Sequence, residues 1–262
     1  MPEPIINIAT LAARAAGKLM VRALKRPDMI TISEKKPHDY VTETDKQIEQ
    51  AVVDMIHKAY PDHGILGEEG AELQGKDYLW IIDPIDGTRN FIHGLPHFTI
   101  SIAITYRNRL EHGVIYDPER DEFFTASRGK GAHLNGKRIR ISQSKQLETA
   151  LLATNAPYRH DIQQINTYLQ ILKSLLPICG DIRHMGSASL DLAYVACGRL
   201  DGFFQMGLKI WDIAAGILLV KEAGGLVCDI QGGEEYLKTG NLIVGNSAIL
   251  KQSLKIIKQI VR

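Results

Sequence analysis

The sequence predicts an α/β protein whose first half is of the α+β type, and three observations carry that reading. Strand-like runs follow one another from Phe98 onward at hairpin spacing, with no helical pattern between them. From Leu151 to the end, strand-like and helix-like segments alternate, the pattern of α/β layers. Tyr78 to Asp83 (YLWIID) is apolar without alternation, as expected of a strand covered on both faces.

The elements follow in order. Apolar residues at helical spacing predict a helix from Pro4 to Leu24, with Arg14 and Lys18 inside the run, so an amphipathic helix is expected rather than a signal peptide. Met29 to Glu34 and Asp39 to Thr42 read as strands. In TETDKQIEQAVVDMIHKAY, Thr44 followed by Gln47 fits a capping box, Ile48, Val52, Met55 and Ile56 form the apolar face, and Pro61 ends the helix. Asp45 then stands at a helix N-terminus, where the dipole favours a carboxylate. Gly64 to Leu66 leads to Glu68, Glu69 and Gly70; Phe98 to Tyr106, Glu111 to Tyr116 and Glu122 to Ala126 read as antiparallel strands; Asn135-Gly136 marks a hairpin. Gly129-x-Gly131 is no dinucleotide fingerprint, because a hairpin follows it. The second half reads as strand Leu151 to Thr154, helix Ile162 to Leu176, a strand near Ile182, helix Ser187 to Cys197, strand Gly202 to Met206, helix Trp211 to Ala223, strands Leu226 to Asp229 and Asn241 to Val244, and a last helix whose Lys251, Lys255, Lys258 and Arg262 form a solvated basic face. The chain divides into halves at 1–145 and 146–262 that form one compact unit.

Composition narrows the function classes. A formal net charge of +1 gives no global case for nucleic acid. Cys179, Cys197 and Cys228 lack CxxC spacing and sit in apolar surroundings, the usage of free thiols in a reducing compartment. No run of about 18 uncharged apolar residues is present, so no membrane span and a cytoplasmic location are expected.

Chemistry concentrates in acids at the ends of elements: Asp45, Glu68, Asp83, Asp86 and Asp212. The specific signal is DPIDGT, residues 83–88, two aspartates at the end of a buried strand. Two like charges ~4 Å apart repel by about 4 kcal/mol at an effective dielectric of ~20, so the pair calls for a cation. Oxygen-only donors suit magnesium, which keeps positions for water and phosphate oxygens. Pro84 fixes the backbone and can aim the Ile85 carbonyl inward, and Gly87 and Thr88 can open a short helix whose free amides bind phosphate. This set predicts a phosphate-ester hydrolase in which two metals activate a water and stabilise the leaving oxygen. His93 and His97 are not a helical metal pair, because Gly94 and Pro96 lie between them.

GEEG, WIIDPIDGTRNF and WDIAAGILLVKEAGG together resemble the three signature segments of the inositol monophosphatase family, and the likeness spans essentially the whole chain. It implies the layered α-β-α-β-α sandwich of the inositol monophosphatase and fructose-1,6-bisphosphatase type, and a lithium-sensitive, dimeric, magnesium-dependent phosphatase of inositol 1-phosphate or a related polyol or sugar phosphate. Asn90-Phe91 favours this branch over the nucleotide bisphosphate phosphatases, with histidinol phosphate and nucleotide 3′-phosphates as competing substrates. By matched position, Glu68, Asp83 and the Ile85 carbonyl hold a first magnesium and Asp83, Asp86 and Asp212 a second, with a third, weaker ion near Glu68. Glu68 and the Asp45–Thr88 pair act on the attacking water. Glu68, Ile85, Asp86, Gly87, Thr88 and Asp212 border the substrate, Arg183 and Ser187 match the segment that approaches its ring, with Arg183 on the ring or on the subunit interface, and Lys35 matches a nearby family lysine. RGKGAHLNGKRIRIS and DGFFQMGLKIWDIAAG resemble bacterial members of the extragenic-suppressor type, some of which act in transcription antitermination of ribosomal RNA operons alongside RNA polymerase. One position departs: Gln205 stands where inositol-specific members usually carry a glutamate that accepts from ring hydroxyls.

Overall fold

Small and apolar residues in the first helix set the outer layer. Ile5, Ile6, Ala9, Ala12, Ala13, Ala16, Gly17 and Met20 recur at three- and four-residue intervals and are buried along α1 (Pro4–Leu24). The computed structural model describes residues 4–26, 31–36, 39–157 and 161–261; the side chains at 35, 36 and 39, Lys35 among them, and Arg262 lie outside the described residues. α1 is long and apolar enough to cross a membrane, but its buried stripe packs on the protein's own sheet.

β1 (Ile32–Lys36) and β2 (Asp39–Thr42) pair antiparallel and lead into α2 (Glu43–Ala59). The expected capping box at Thr44 and Gln47 is not the one formed. The cap is Thr42, still extended as the end of β2, and the box closes on Asp45, whose carboxylate accepts the Thr42 N–H at 2.8 Å. The shorter aspartate spans that turn, and Thr44 is already inside the helix. Ile48, Val52, Val53 and Ile56 are buried as an apolar face.

The first large sheet contains β3 (Gly64–Gly67), β4 (Glu72–Leu73), β5 (Tyr78–Asp86), β6 (Thr99–Tyr106), β7 (Arg109–Asp117), β8 (Glu122–Ser127), β9 (Gly131–Leu134) and β10 (Lys137–Arg138), ordered β10-β9-β8-β7-β6-β5-β3-β4. β3 runs parallel to β5, and the other pairings are antiparallel. The β9–β10 hairpin turns on Asn135 and Gly136 at φ of 48° and 76°, the left-handed pair that a two-residue turn requires. A single helical segment, α3 (Thr88–Ile92), separates β5 from β6.

The second half supplies β11 (Leu151–Ala153), α4 (Ile162–Leu175), β12 (Asp181–Arg183), α5 (Ala188–Ala196), β13 (Gly202–Gln205), α6 (Ile210–Glu222), β14 (Leu226–Cys228), α7 (Tyr236–Thr239), β15 (Leu242–Gly245) and α8 (Ser247–Ile260). Its five strands order as β12-β11-β13-β15-β14, parallel on one side and antiparallel on the other. β4 and α7 escaped the sequence reading because two and four residues carry no period.

The layers follow from which helices are apolar all round. Every residue of α5 and all of Ile213 to Val220 in α6 are buried, so these two helices form the middle layer between the sheets. α1 and α2 cover the far face of the eight-stranded sheet, and α4 and α8 cover the far face of the five-stranded one. The α-β-α-β-α sandwich is the architecture the sequence implied.

The α1 contact gives a stability test. A Cβ built on Gly17 would lie 2.3 Å from Cε1 of Tyr116, a ring stacked on Phe123 at a 3.8 Å centroid separation. Alanine gains about 1 kcal/mol of helix propensity but forces that ring out of its stack. Gly17→Ala is therefore expected to lower unfolding stability by about 1–3 kcal/mol in denaturant titration; a more stable variant would contradict this packing.

Candidate active site

Side chains on a regular strand alternate between faces, so residues 83 and 86 should point to opposite sides of the sheet. They do not. Asp83 pairs with Ser101 and Asp86 with Thr99, three residues on β5 against two on β6, which marks a β-bulge at Pro84-Ile85. Proline cannot donate to the ladder, so the bulge is where it is tolerated. The extra residue turns both aspartates to the face that meets α5 and α6, and Ile85 packs into the opposite core.

On that face, carboxylate oxygens of Asp83, Asp86 and Asp212 all lie within 4.8 Å of one another. Asp83 and Asp86 are buried. A cleft of about 300 Å³ contains them, lined also by Glu68, Ile85, Gly87, Thr88, Asn155, His184 and Gln205. At 4.8 Å and an effective dielectric of ~20, each charged pair would repel by about 3.5 kcal/mol. Burial, then the charges of Glu68, Asp86 and Asp212, raise Asp83 well above the usual carboxylate range. Burial, then Asp86, does the same for Asp212. Burial raises Asp86 too, against the opposing hydrogen bonds of Ser187 and Ser189.

Three of the acids are fastened through Oδ2. Asp86 Oδ2 accepts from Ser187 Oγ (2.5 Å), Ser189 N (2.7 Å) and Ser189 Oγ (2.6 Å). Asp212, in the first turn of α6, accepts Lys209 N–H on Oδ2 at 2.7 Å. Asp45 Oδ2 is taken by Thr42, and its Oδ1 lies 3.4 Å from Thr88 Oγ1. Burial, partly offset by Thr42, raises Asp45 to about 6. Thr88 Oγ1 also donates to the Ile85 carbonyl at 2.9 Å. Glu68 is set by its neighbours: buried Glu49 accepts Glu69 N–H (2.8 Å) and Ala71 N–H (2.9 Å) and so fixes the GEEG loop. Gly87 has φ 92°, and a Cβ there would stand 3.0 Å from the His97 carbonyl, so position 87 needs glycine on both counts.

The structure brings Asp45, Glu68, Asp83, Ile85, Asp86, Gly87, Thr88, Asp212 and Gln205 to one region. Ser187 and Arg183 do not line this cleft. Ser187 is fully buried with its hydroxyl on Asp86, and Arg183 pairs with Asp181 away from the cleft lining. Several contributors went unread in the sequence: Glu49, Ser189, Asn155 and Asp191, while His97 was read only as half of a rejected metal pair. Asp191 left a trace, an acid inside SASLDLAYVA, a helix otherwise apolar or hydroxyl-bearing. It is fully buried, accepts Asn155 Nδ2 at 2.9 Å, and stands 3.6 Å from His97 Nε2.

Asp83 Oδ1 is buried without a hydrogen-bond partner among the described residues. An orphaned carboxylate oxygen inside an all-oxygen donor set fits a hard dication. Among known proteins, residues 1–262 match the model of the inositol monophosphatase family. The chain belongs to that family. Nus factor SuhB of Pseudomonas aeruginosa is 52% identical over 261 residues, 98% of this chain and 96% of that protein. The crystal structure of extragenic suppressor protein suhB from Bartonella henselae superposes with a TM-score of 0.95 at 41% identity, covering 98% of this chain and 99% of that one. Thermotoga maritima IMPase gives 0.89 at 37% identity, covering 99% and 98%. An inositol monophosphatase fold, a family that typically uses magnesium and an acid cluster able to bind it thus coincide.

The raised carboxyls fix the pH dependence of the metal-free fold. A carboxyl whose folded pKa exceeds its unfolded value of about 3.9 adds stability below that value and loses it as pH rises through the folded pKa. For Asp45 the window runs from about 4 to about 6; for Asp83 and Asp212 it starts at the same point and extends further. Metal-free protein should lose stability above about pH 4 through these groups, and Asp83→Asn should be the more stable form at about pH 8, with the gap closing towards pH 5. Denaturant melts in chelator at both pH values measure this; an Asp83→Asn that is equally destabilised at both would refute the crowding.

Proposed function

We propose that the protein is a magnesium-dependent phosphomonoesterase that hydrolyses inositol 1-phosphate, or a related polyol or sugar phosphate, to the alcohol and phosphate. The single observation that carries this is the bulge that turns Asp83 and Asp86 onto one face, beside Asp212 and Glu68. Glu68, Asp83 and the Ile85 carbonyl would hold one magnesium and Asp83, Asp86 and Asp212 another, with a weaker third near Glu68. When bound, such ions acidify water and offset charge developing on phosphate oxygens. Lithium sensitivity belongs to the same reading.

The chain's own groups have defined tasks in this proposal. Gly87 and Thr88 line the cleft where α3 begins, and in this proposal their amides would take a phosphate oxygen. The Thr88 hydroxyl has one proton, given to the Ile85 carbonyl at 2.9 Å rather than to Asp45 at 3.4 Å. Turning that proton to Asp45 frees the Ile85 carbonyl as a ligand and leaves Thr88 Oγ1 able to accept from water, so one rotation serves both tasks. Asp45, raised to about 6, is a competent proton acceptor at neutral pH.

The relatives named Nus factor favour a second reading, a transcription antitermination role through protein contacts with RNA polymerase, with hydrolysis secondary. A cytoplasmic homodimer is proposed for either reading.

Phosphate release from a panel of monoesters (inositol 1-phosphate, histidinol phosphate, a nucleotide 3′-phosphate, β-glycerophosphate), with and without magnesium, tests the enzyme reading. Magnesium-dependent release is expected, and release indifferent to magnesium would defeat it. Asp83→Asn should lower kcat by about three orders of magnitude or more. Thr88→Ala and Asp45→Asn should each lower kcat with a less than additive loss in the double variant, since both act in one relay; full additivity would separate them.

A further inference from the structure

The far wall of the cleft is a chain of side-chain amides whose orientations are fixed by groups outside it. Asn155 Oδ1 accepts the Gly186 N–H at 2.7 Å, which leaves its Nδ2 to donate. That nitrogen gives one proton to Asp191 Oδ2 at 2.9 Å and the other to Gln205 Oε1 at 3.1 Å. The reverse assignment of Asn155 would set its carbonyl against the Asp191 carboxylate and its NH₂ against an N–H, two repulsive contacts. Asp191 is fully buried, so it cannot turn to water for compensation. With Asn155 fixed, Gln205 must present its carbonyl to Asn155 and its Nε2 elsewhere. Gln205 lines the cleft, and no hydrogen bond from its Nε2 is present among the described residues. His184, another lining residue, accepts the Ala156 N–H on Nε2 at 2.8 Å, which puts its proton on Nδ1.

We infer that the Asp191–Asn155 pair locks Gln205 as a hydrogen-bond donor, so that the cleft prefers a phosphate monoester whose alcohol half presents a proton-free oxygen, a carboxylate, at that wall. The inference rests on the phosphomonoesterase reading and specifies its substrate class, an acidic polyol phosphate. A hydroxyl can also accept, but a carboxylate gains a charge-assisted bond that a neutral oxygen does not. A glutamate at 205 would take the Asn155 proton equally well and present an oxygen to the cleft, reversing the preference. In this account Gln205 is a specificity residue and Asn155 a positioning residue.

Glycerate 2-phosphate and glycerol 2-phosphate differ by one carboxylate in place of one hydroxymethyl group, so their kcat/KM ratio with magnesium-loaded enzyme isolates this wall. Gln205→Glu should lower the glycerate-to-glycerol ratio by about tenfold, chiefly through KM. Asn155→Ala, which lets the Gln205 amide turn over, should lower it by about threefold, with thermal unfolding showing that the variant is folded. If Asn155→Ala does not fold, Gln205→Glu alone decides. An unchanged or raised ratio in Gln205→Glu overturns the inference while wild-type hydrolysis of either compound keeps the phosphatase reading. An unchanged ratio in folded Asn155→Ala overturns the lock. Hydrolysis of neither compound, nor of any other monoester, overturns both.

Discussion

Everything at this site depends on one irregular step in one strand. The β5–β6 ladder runs in register from Tyr78 to Asp83 and resumes at Asp86 one residue out of phase. Without that extra residue Asp86 would project into the core behind the sheet, among Ile82 and Phe98. A charge there, without partners, would be strongly destabilising. With it, the two aspartates share a face, and the side chain that crosses to the core is isoleucine. Pro84, barred from the ladder, disfavours the regular pairing that would undo the arrangement.

The crowding that results has to be held from both halves of the chain. The first sheet supplies Asp83 and Asp86, but the donors on Asp86 are Ser187 and Ser189 at the head of α5, and Asp212 comes from the head of α6. These two helices are buried between the sheets, so their first turns are placed by the same contacts that build the central core. Asp86 and Asp212, which line the cleft, are each held through Oδ2 by fixed donors, while Asp45 is held through Oδ2 by Thr42 and turns Oδ1 to Thr88. Asp83, which feels the charges of Glu68, Asp86 and Asp212, has one buried oxygen without a hydrogen-bond partner among the described residues. Assembly of the middle layer and assembly of the site are one event.

Much of this was legible in the sequence, for identifiable reasons. Long periodic elements such as α1, α4 and α8, and the Asn135-Gly136 hairpin, follow from local patterning. DPIDGT was readable because two acids closing a buried apolar run repel each other unless a cation joins them. The cap of α2 was misread by two residues, since Thr42 and Thr44 are both plausible caps and only the end of β2 chooses between them. Ser187, expected near the substrate, spends its hydroxyl on Asp86, and Arg183, expected at the ring or the subunit interface, pairs with Asp181 outside the cleft lining. Glu49 and Asn155 were invisible because what matters in each is a partner 20 to 36 residues distant: Glu69, Ala71, Gly186 and Asp191. No spacing rule reports such a partner. Gln205 was noticed as a departure, but its polarity became readable only with the amide chain behind it.

The central claim is that buried carboxylates held above their ordinary range exchange protons for a divalent cation. Calorimetric titration of metal-free protein with magnesium, at about pH 6 in buffers of differing ionisation enthalpy, measures the protons released on binding. The account predicts binding heats that vary with the buffer, corresponding to net proton release, and a smaller release in Asp83→Asn. Binding with no buffer dependence would show that the acids are already ionised without metal, and would contradict it.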